Sequence, residues 1–274
     1  MKTNIDLTVA IPVHSVADQN FNDLLNAALM SIENNAVHPE KVMIIRCGCG
    51  DVKEVLNNFD LSKYTFNLEI IENTTGKQFQ NQINFAASLA TTKYFTFLEF
   101  DDEFSVTWLT NVKKYTESYP EIEMFLPIIT DVSVDNKFLG LTNEAAWAFN
   151  FSEKLGEIDH DVLLEYPNIN PDGMVIKTET FKSIGAYKPS IRLTFNYEFL
   201  LRFTNSGKNI MVIPKMGYKH MNMRPTSLFW EYKNSQDEKM AITPDEAKFW
   251  METAKKEFFY NDDRNIIYEK PVEV

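Results

Sequence analysis

Cysteine is nearly absent from this chain of 274 residues, which has two. Cys47 and Cys49 lie two positions apart, too close in a strand for an easy disulfide and too few for the usual multi-cysteine zinc site, so both read as reduced packing residues. Long apolar runs are missing as well: none approaches the ~18 residues that a membrane-spanning helix needs. The opening residues lead straight into a strand-like run rather than a signal peptide, so a cytoplasmic location is expected. Positive charge is the minority, with 27 Lys and Arg against 39 Asp and Glu. The net charge of -12 argues against a broad duplex-binding surface, which requires clustered cations on the phosphates. No internal repeat or low-complexity tract is visible, and the 44% hydrophobic content is that of an ordinary globular protein.

What the chain does have is an abrupt junction. The aromatic run of Tyr94, Phe95, Phe97 and Phe100 ends in Glu99, Asp101, Asp102 and Glu103, four carboxylates within five residues. The two-residue period of a strand places Glu99 and Asp101 on one face and Asp102 on the other. Two hard oxygen ligands at a strand end suit Mg²⁺ or Mn²⁺, completed by phosphate oxygens and water. Alternatively, Asp102, Glu103 or Ser105 caps the helix expected over 106–115.

Strand-like and helix-like segments alternate through the first half: strands at 7–13, 41–46 and 67–71, helices at 21–32, 51–58 and 80–89, then the strand that ends at the acids. This βαβαβαβ order implies an α/β architecture with a largely parallel sheet. The second half is less regular, with a strand at 121–129, helices at 179–184 and 197–206, a strand at 209–214 and a helix at 244–259. Long loops are expected near 130–145 and 152–172.

The order of these pieces resembles the GT-A fold of family 2 glycosyltransferases over roughly residues 5 to 227. The segment from Val9 through Pro12, Val13 and His14 is similar to the family's opening strand, Asp51 follows the second strand, and Asn84 lies in the helix before the fourth. Leu98-Glu99-Phe100-Asp101-Asp102 is similar to Leu-Asp-x-Asp-Asp, Gly185-Ala186-Tyr187 to Gly-Gly-Phe, and Glu198 with Arg202, Gly207 and Pro214 to the segment around the catalytic acid. There are departures. Glu99 stands for Asp, Ile83 for an Arg, a Cys- and Gly-containing turn for the acid-rich turn after the second strand, and Phe195-Asn196 for an acidic pair.

The resemblance implies a GT-A (Rossmann-like) domain over 1–230, with a nucleotide-binding half at 1–104, an acceptor half at 105–230 and a C-terminal helical extension at 231–274. It implies a metal-dependent, inverting hexosyl- or pentosyltransferase acting on a nucleotide-sugar donor, with the acceptor left open among glycan, protein and modified nucleobase. Glu99, Asp101 and His220 would hold Mn²⁺ or Mg²⁺. Pro12, Val13, His14, Asp51, Asn84, Asp101, Lys219 and Arg224 would bind the donor. Glu198 would be the general base.

Each role has a plainer alternative. Glu198 can pair with Arg202 one helical turn away, His220 can be structural, Asp51 can cap its helix, and Lys219 and Arg224 can be surface charge. Asp172, in Asn170-Pro171-Asp172-Gly173, is a turn signal that could also contact the acceptor. Trp147, Trp230 and Trp250 are expected in the core. A non-catalytic binding module is the rival reading, motivated by Phe195-Asn196. A dinucleotide-dependent oxidoreductase fails, because Gly48-Cys49-Gly50 lacks a third glycine and follows the second strand rather than the first.

Overall fold

The computed structural model describes residues 2–18, 20–48, 50–222, 224–235 and 244–257. Cys49, and with it the Cys47–Cys49 relation, lies outside the described residues, as do residues 258–274 of the expected extension.

Two-residue alternation builds the first half. Strand β1 (Thr3–Val13) turns Leu7, Val9, Ile11 and Val13 to one core and Ala10 to the other. The chain continues through α1 (Phe21–Glu33), β2 (Val37–Cys47), α2 (Gly50–Asn57), β3 (Leu68–Asn73), α3 (Phe79–Leu89) and β4 (Tyr94–Phe97). In β2, Val42 and Ile44 face the first core while Met43 and Ile45 face the second. Both faces are therefore covered, which is why these strands read as near-continuous apolar runs. Parallel pairing joins β3, β2, β1 and β4, as the sequence order implies.

The second half comprises β5 (Glu103–Phe104), α4 (Trp108–Ser118), β6 (Met124–Val132), β7 (Phe138–Thr142), a 3₁₀ turn (Glu144–Trp147), β8 (Glu157–Ile158), α5 (His160–Glu165), β9 (Val175–Lys177), α6 (Thr178–Ser183), α7 (Phe195–Asn205), β10 (Ile210–Met221), α8 (Leu228–Asn234) and α9 (Pro244–Glu257). The sheet runs β3-β2-β1-β4-β9-β6-β10-β5, with β7 added on β6 and β8 on β10. Strand β9 is antiparallel to both β4 and β6 and joins the two parallel groups.

Three expectations change. The two segments expected as loops contain β7, the 3₁₀ turn, β8 and α5, elements too short to show a period. The strand expected to end at Pro214 continues to Met221, because irregular register between Val212 and Tyr218 lets it pass the proline and pair again. And α8 crosses the domain boundary expected at 230, while α9 contributes Ala254 to the second core.

The carboxyl ends of β1, β4 and β10 meet on one edge of the sheet. Helix α1 packs into the first core and α3 into the second, on opposite faces, so the crevice between β1 and β4 is of the kind in which α/β sheets bind ligands. Gly217 allows β10 to reach that edge: a Cβ there would lie 2.2 Å from the ring of buried Trp108. Gly217→Ala is expected to destabilise the fold by about 1–3 kcal/mol, measured as a lower midpoint in urea unfolding.

Candidate active site

Strand β4 stops at Phe97, and a turn follows in which the Asp102 amide donates to the Glu99 carbonyl at 3.1 Å. Strand alternation therefore does not set the direction of the acids; the turn does, and it separates the two aspartates. Asp101 points to Arg224, with Nε donating to Oδ2 at 2.5 Å. Asp102, 1% exposed, accepts from the Met221 amide at 2.7 Å and from His220 Nδ1 at 3.2 Å. Thr107 at the start of α4 makes no side-chain cap, and the Leu109 amide in its first turn donates to Asn35 Oδ1 at 3.1 Å, so capping is not the role of these acids. Glu103 instead pairs with Lys219 where β5 meets β10.

A fourth carboxylate arrives from elsewhere. Asp172, 7% exposed, lies in the turn before β9, where Asn170 clasps it from both sides: the Asn170 amide donates to Oδ2 at 2.8 Å and the Asp172 amide donates to Asn170 Oδ1 at 3.0 Å. Gly173, at φ +69°, holds this turn against Tyr218, whose ring leaves no room for a Cβ. The Asp172 carboxylate stands 3.7 Å from His220 Nδ1.

So many acids in one place reshape each other. Burial first, then Asp102, Asp101 and Asp172, push Glu99 well above the usual carboxylate range. Burial and then Asp102 push Asp101 up to about 6 even against the opposing pull of Arg224. Asp172 is also raised, chiefly by burial. Burial disfavours a charge on His220, yet Asp102, Asp172 and Glu99 outweigh it and hold the imidazolium up to about 11. In this arrangement Nδ1 donates to Asp102 and lies near Asp172, so His220 serves these carboxylates as a counter-ion.

Arg224, 4% exposed, forms a second compensating centre. Besides Asp101 it donates to Asp18 and to Thr226 Oγ1, the latter at 2.7 Å, and its guanidinium lies 4.8 Å from the Phe100 ring centroid. Asp18 and Thr226 carried no signal in the sequence. Asp101 Oδ1 is buried with no hydrogen-bond partner among the described residues, as is His14 Nε2.

These groups line one end of a 340 Å³ pocket that includes His14, Glu99, Asp101, Asp172, His220 and Arg224. Its other end is aromatic, with Phe79, Phe195, Phe229, Trp230 and Tyr232. Trp230 thus lines the pocket, contrary to its expected core position, whereas Trp147 is half-buried and donates to the Val212 carbonyl at 3.0 Å. The side chain of Trp250 lies outside what is described. Helix α8 covers the aromatic end and is tied to the body by Lys77–Glu231 at 3.0 Å and by Arg192 over the Tyr232 ring at 5.6 Å. Burial, followed by Arg224, lowers His14 to about 4, so it presents a neutral imidazole to this pocket.

Several expected site residues lie elsewhere. Glu198, 1% exposed, is held by Arg202 Nε at 2.7 Å and Nη2 at 2.9 Å and by Lys188 at 3.2 Å. It does not line the pocket, so the ion-pair reading describes its surroundings and the general-base reading does not. Asn84 clamps the Tyr187 backbone, donating to its carbonyl at 2.8 Å and accepting from its amide at 3.0 Å. Asp51 is exposed on α2 and accepts from the Val52 amide at 2.9 Å. Pro12 and Val13 are buried in β1 against Ile45 and Arg46 of β2. Lys219 contacts Glu103 and Asn136 outside the pocket. The structure thus brings together His14, Glu99, Asp101, His220 and Arg224 and leaves the others apart.

Comparison with known proteins bears on the fold. The fold is similar to the crystal structure of S. aureus TarS 1-349, with a TM-score of 0.53 and 15% identity over 81% of this chain and 60% of that one. It is also similar to S. aureus TarS 1-349 in complex with UDP, with a TM-score of 0.55 and 14% identity over 94% of this chain and 80% of that one. The chain therefore spans 60% of the first of these structures. This likeness defines the class as an α/β protein of the GT-A fold. Residues 50–167 match the model of Glycosyl transferase family 2, so that part of the chain is similar to this family. A search of curated proteins by sequence finds no match.

Two outcomes follow for stability. Because the folded His220 titrates near 11, above its unfolded value near 6.5, its stabilising charge is fully present below pH 6.5 and is lost as pH rises toward 11. His220→Gln should lower the calorimetric melting temperature at pH 7 and flatten its decline between roughly pH 7 and 10. Glu198→Ala leaves Arg202 buried without its carboxylate and should cost about 3–5 kcal/mol in urea unfolding.

Proposed function

We propose that the protein transfers a sugar from a nucleoside diphosphate-sugar to an acceptor hydroxyl with inversion, using a divalent cation, Mn²⁺ or Mg²⁺. The observation that supports this most is the carboxylate cluster on the β4 turn, in which Asp101 Oδ1 is buried without a partner and faces the pocket. The donor set fits a hard cation: it is all oxygen, and Glu99 and Asp101 are raised by burial first and then by neighbouring carboxylates, a cost to the charged forms that a divalent ion would offset. Among the described residues no three His, Cys, Asp or Glu side chains form a ready-made cage. Glu99 and Asp101 would therefore hold the ion together with diphosphate oxygens and water. When bound, the ion would stabilise charge on the departing diphosphate. UDP is the nucleotide to try first, since it is bound in one of the similar structures.

The other roles belong to the chain's own side chains. His14, neutral and with Nε2 unpartnered, offers a hydrogen-bonding contact to the nucleotide at the β1 end of the pocket. Arg224 would turn its guanidinium fork to the phosphates. Asp172 replaces Glu198 as the carboxylate to receive the acceptor proton: it lines the pocket, and the Asn170 clasp fixes its orientation while His220 stands behind it. The aromatic end offers stacking faces to a sugar ring or to the acceptor. A second reading, a binding module without turnover, is favoured by Phe195 and Asn196 lining the pocket where the family has an acidic pair.

Thermal shift with UDP, GDP, ADP and CDP, each with Mn²⁺, tests donor binding. Stabilisation by one nucleotide, lost in Asp101→Ala, is expected, and no response to any would sink the reading. Turnover of the matching nucleotide-sugar, reduced about 10²–10⁴-fold in Asp172→Asn with nucleotide affinity retained, would exclude the module. Because Asp101 must be deprotonated to take the ion, nucleotide-dependent Mn²⁺ affinity is expected to fall as pH drops below about 6, approaching tenfold per unit.

A further inference from the structure

We infer that Arg224 is the counter-ion that Asp101 keeps until nucleotide arrives, so that the guanidinium and a divalent ion compete for this carboxylate and the diphosphate decides between them. The inference rests on the metal-dependent reading above and names the residue that would couple the ion to the nucleotide.

Arg224 is not loose surface charge. It is 4% exposed and sits in a frame made by three strand ends. Asp101 comes from the turn after β4, Asp18 from the segment after β1, and Thr226 from the segment after β10. Thr226 Oγ1 accepts from Arg224 and donates to Asp18 Oδ1 at 2.6 Å, so the frame is bonded to itself as well as to the guanidinium. The Phe100 ring, 4.8 Å from the guanidinium carbon, backs the guanidinium.

This arrangement divides Asp101 in two. Oδ2 is taken by Arg224 Nε at 2.5 Å, while Oδ1 is buried with no partner among the described residues. A divalent ion arriving alone at Oδ1 would share one carboxylate with a buried guanidinium, and two like charges at that separation repel strongly in a partly dry site. An ion that displaced Arg224 would instead leave the buried guanidinium with Asp18 as its remaining ion-paired carboxylate among the described residues. A diphosphate resolves the conflict. Its oxygens match the guanidinium fork, so Arg224 can leave Asp101 for phosphate while the ion takes both Asp101 and the diphosphate. Ion and nucleotide then bind with positive coupling, and Arg224 is the positioning residue responsible for it.

The test is Mn²⁺ titration of the full chain, followed by the electron paramagnetic resonance signal of the free ion, with and without UDP. In the wild type, UDP is expected to raise Mn²⁺ affinity by about tenfold or more. Arg224→Met should bind Mn²⁺ alone about tenfold more tightly than the wild type, and UDP should then add less than about threefold. Asp18→Asn removes the guanidinium's other carboxylate without touching Asp101, so Arg224 should hold Asp101 more firmly and affinity for Mn²⁺ alone should fall, by about threefold or more; this variant serves if Arg224→Met does not fold. If both variants bind Mn²⁺ alone within about twofold of the wild type while UDP still promotes Mn²⁺ binding, this inference falls and the metal-dependent reading stands. If no form binds Mn²⁺ with or without UDP, both fall.

Discussion

The whole site depends on balancing negative charge beneath the ends of β1, β4 and β10. Glu99, Asp101, Asp102 and Asp172 converge there, with Asp18 at the margin, and among the described residues two cations face them: His220 on one side and Arg224 on the other. Each cation spans two acids and links strand ends that the sheet alone would not hold in register. Buried charge is tolerable only when paired, so the fold of the loops is largely the solution of that pairing. The remaining excess of negative charge is the feature on which the proposed divalent ion rests.

A second buried pair does a different job. Glu198 and Arg202 occupy one turn of α7, and Arg202 also donates to the carbonyls of Ile184 and Ala186. With Asn84 clamping Tyr187 from α3, this sets the loop between α6 and α7 and hence the place of Phe195 and Asn196 at the pocket wall. Two residues that looked like chemistry in the sequence are thus scaffold, and they support the wall from behind.

The limits of sequence reading follow from distance along the chain. The alternating strands and amphipathic helices of the first half were legible because their signals are local. So was the acid cluster, and so was the Glu198–Arg202 alternative, four residues apart. The partners of the acids were not legible. Asp18 and Arg224 are 206 positions apart, and Asp101 and Arg224 are 123 apart. The turn before β9 gave Asp172 no stronger mark than turn chemistry, because its role comes from Gly173 fitting against Tyr218. Strands of two or three residues such as β5, β8 and β9 cannot display a period at all.

The length of β10 has a consequence for how the protein is made. This one strand pairs with β6 along most of its length, with β8 at its start and with β5 near its end, and its last residues deliver His220 and Met221 to Asp102 from 118 and 119 positions away. On a ribosome, the acidic turn leaves the exit tunnel long before its neutralising groups have been synthesised. The parallel strands β1 to β4 can associate early, but the turn after β4 stays mutually repulsive until the chain has passed residue 224. Loop closure over such separations is slow, and the acidic edge cannot be complete before this single strand has arrived.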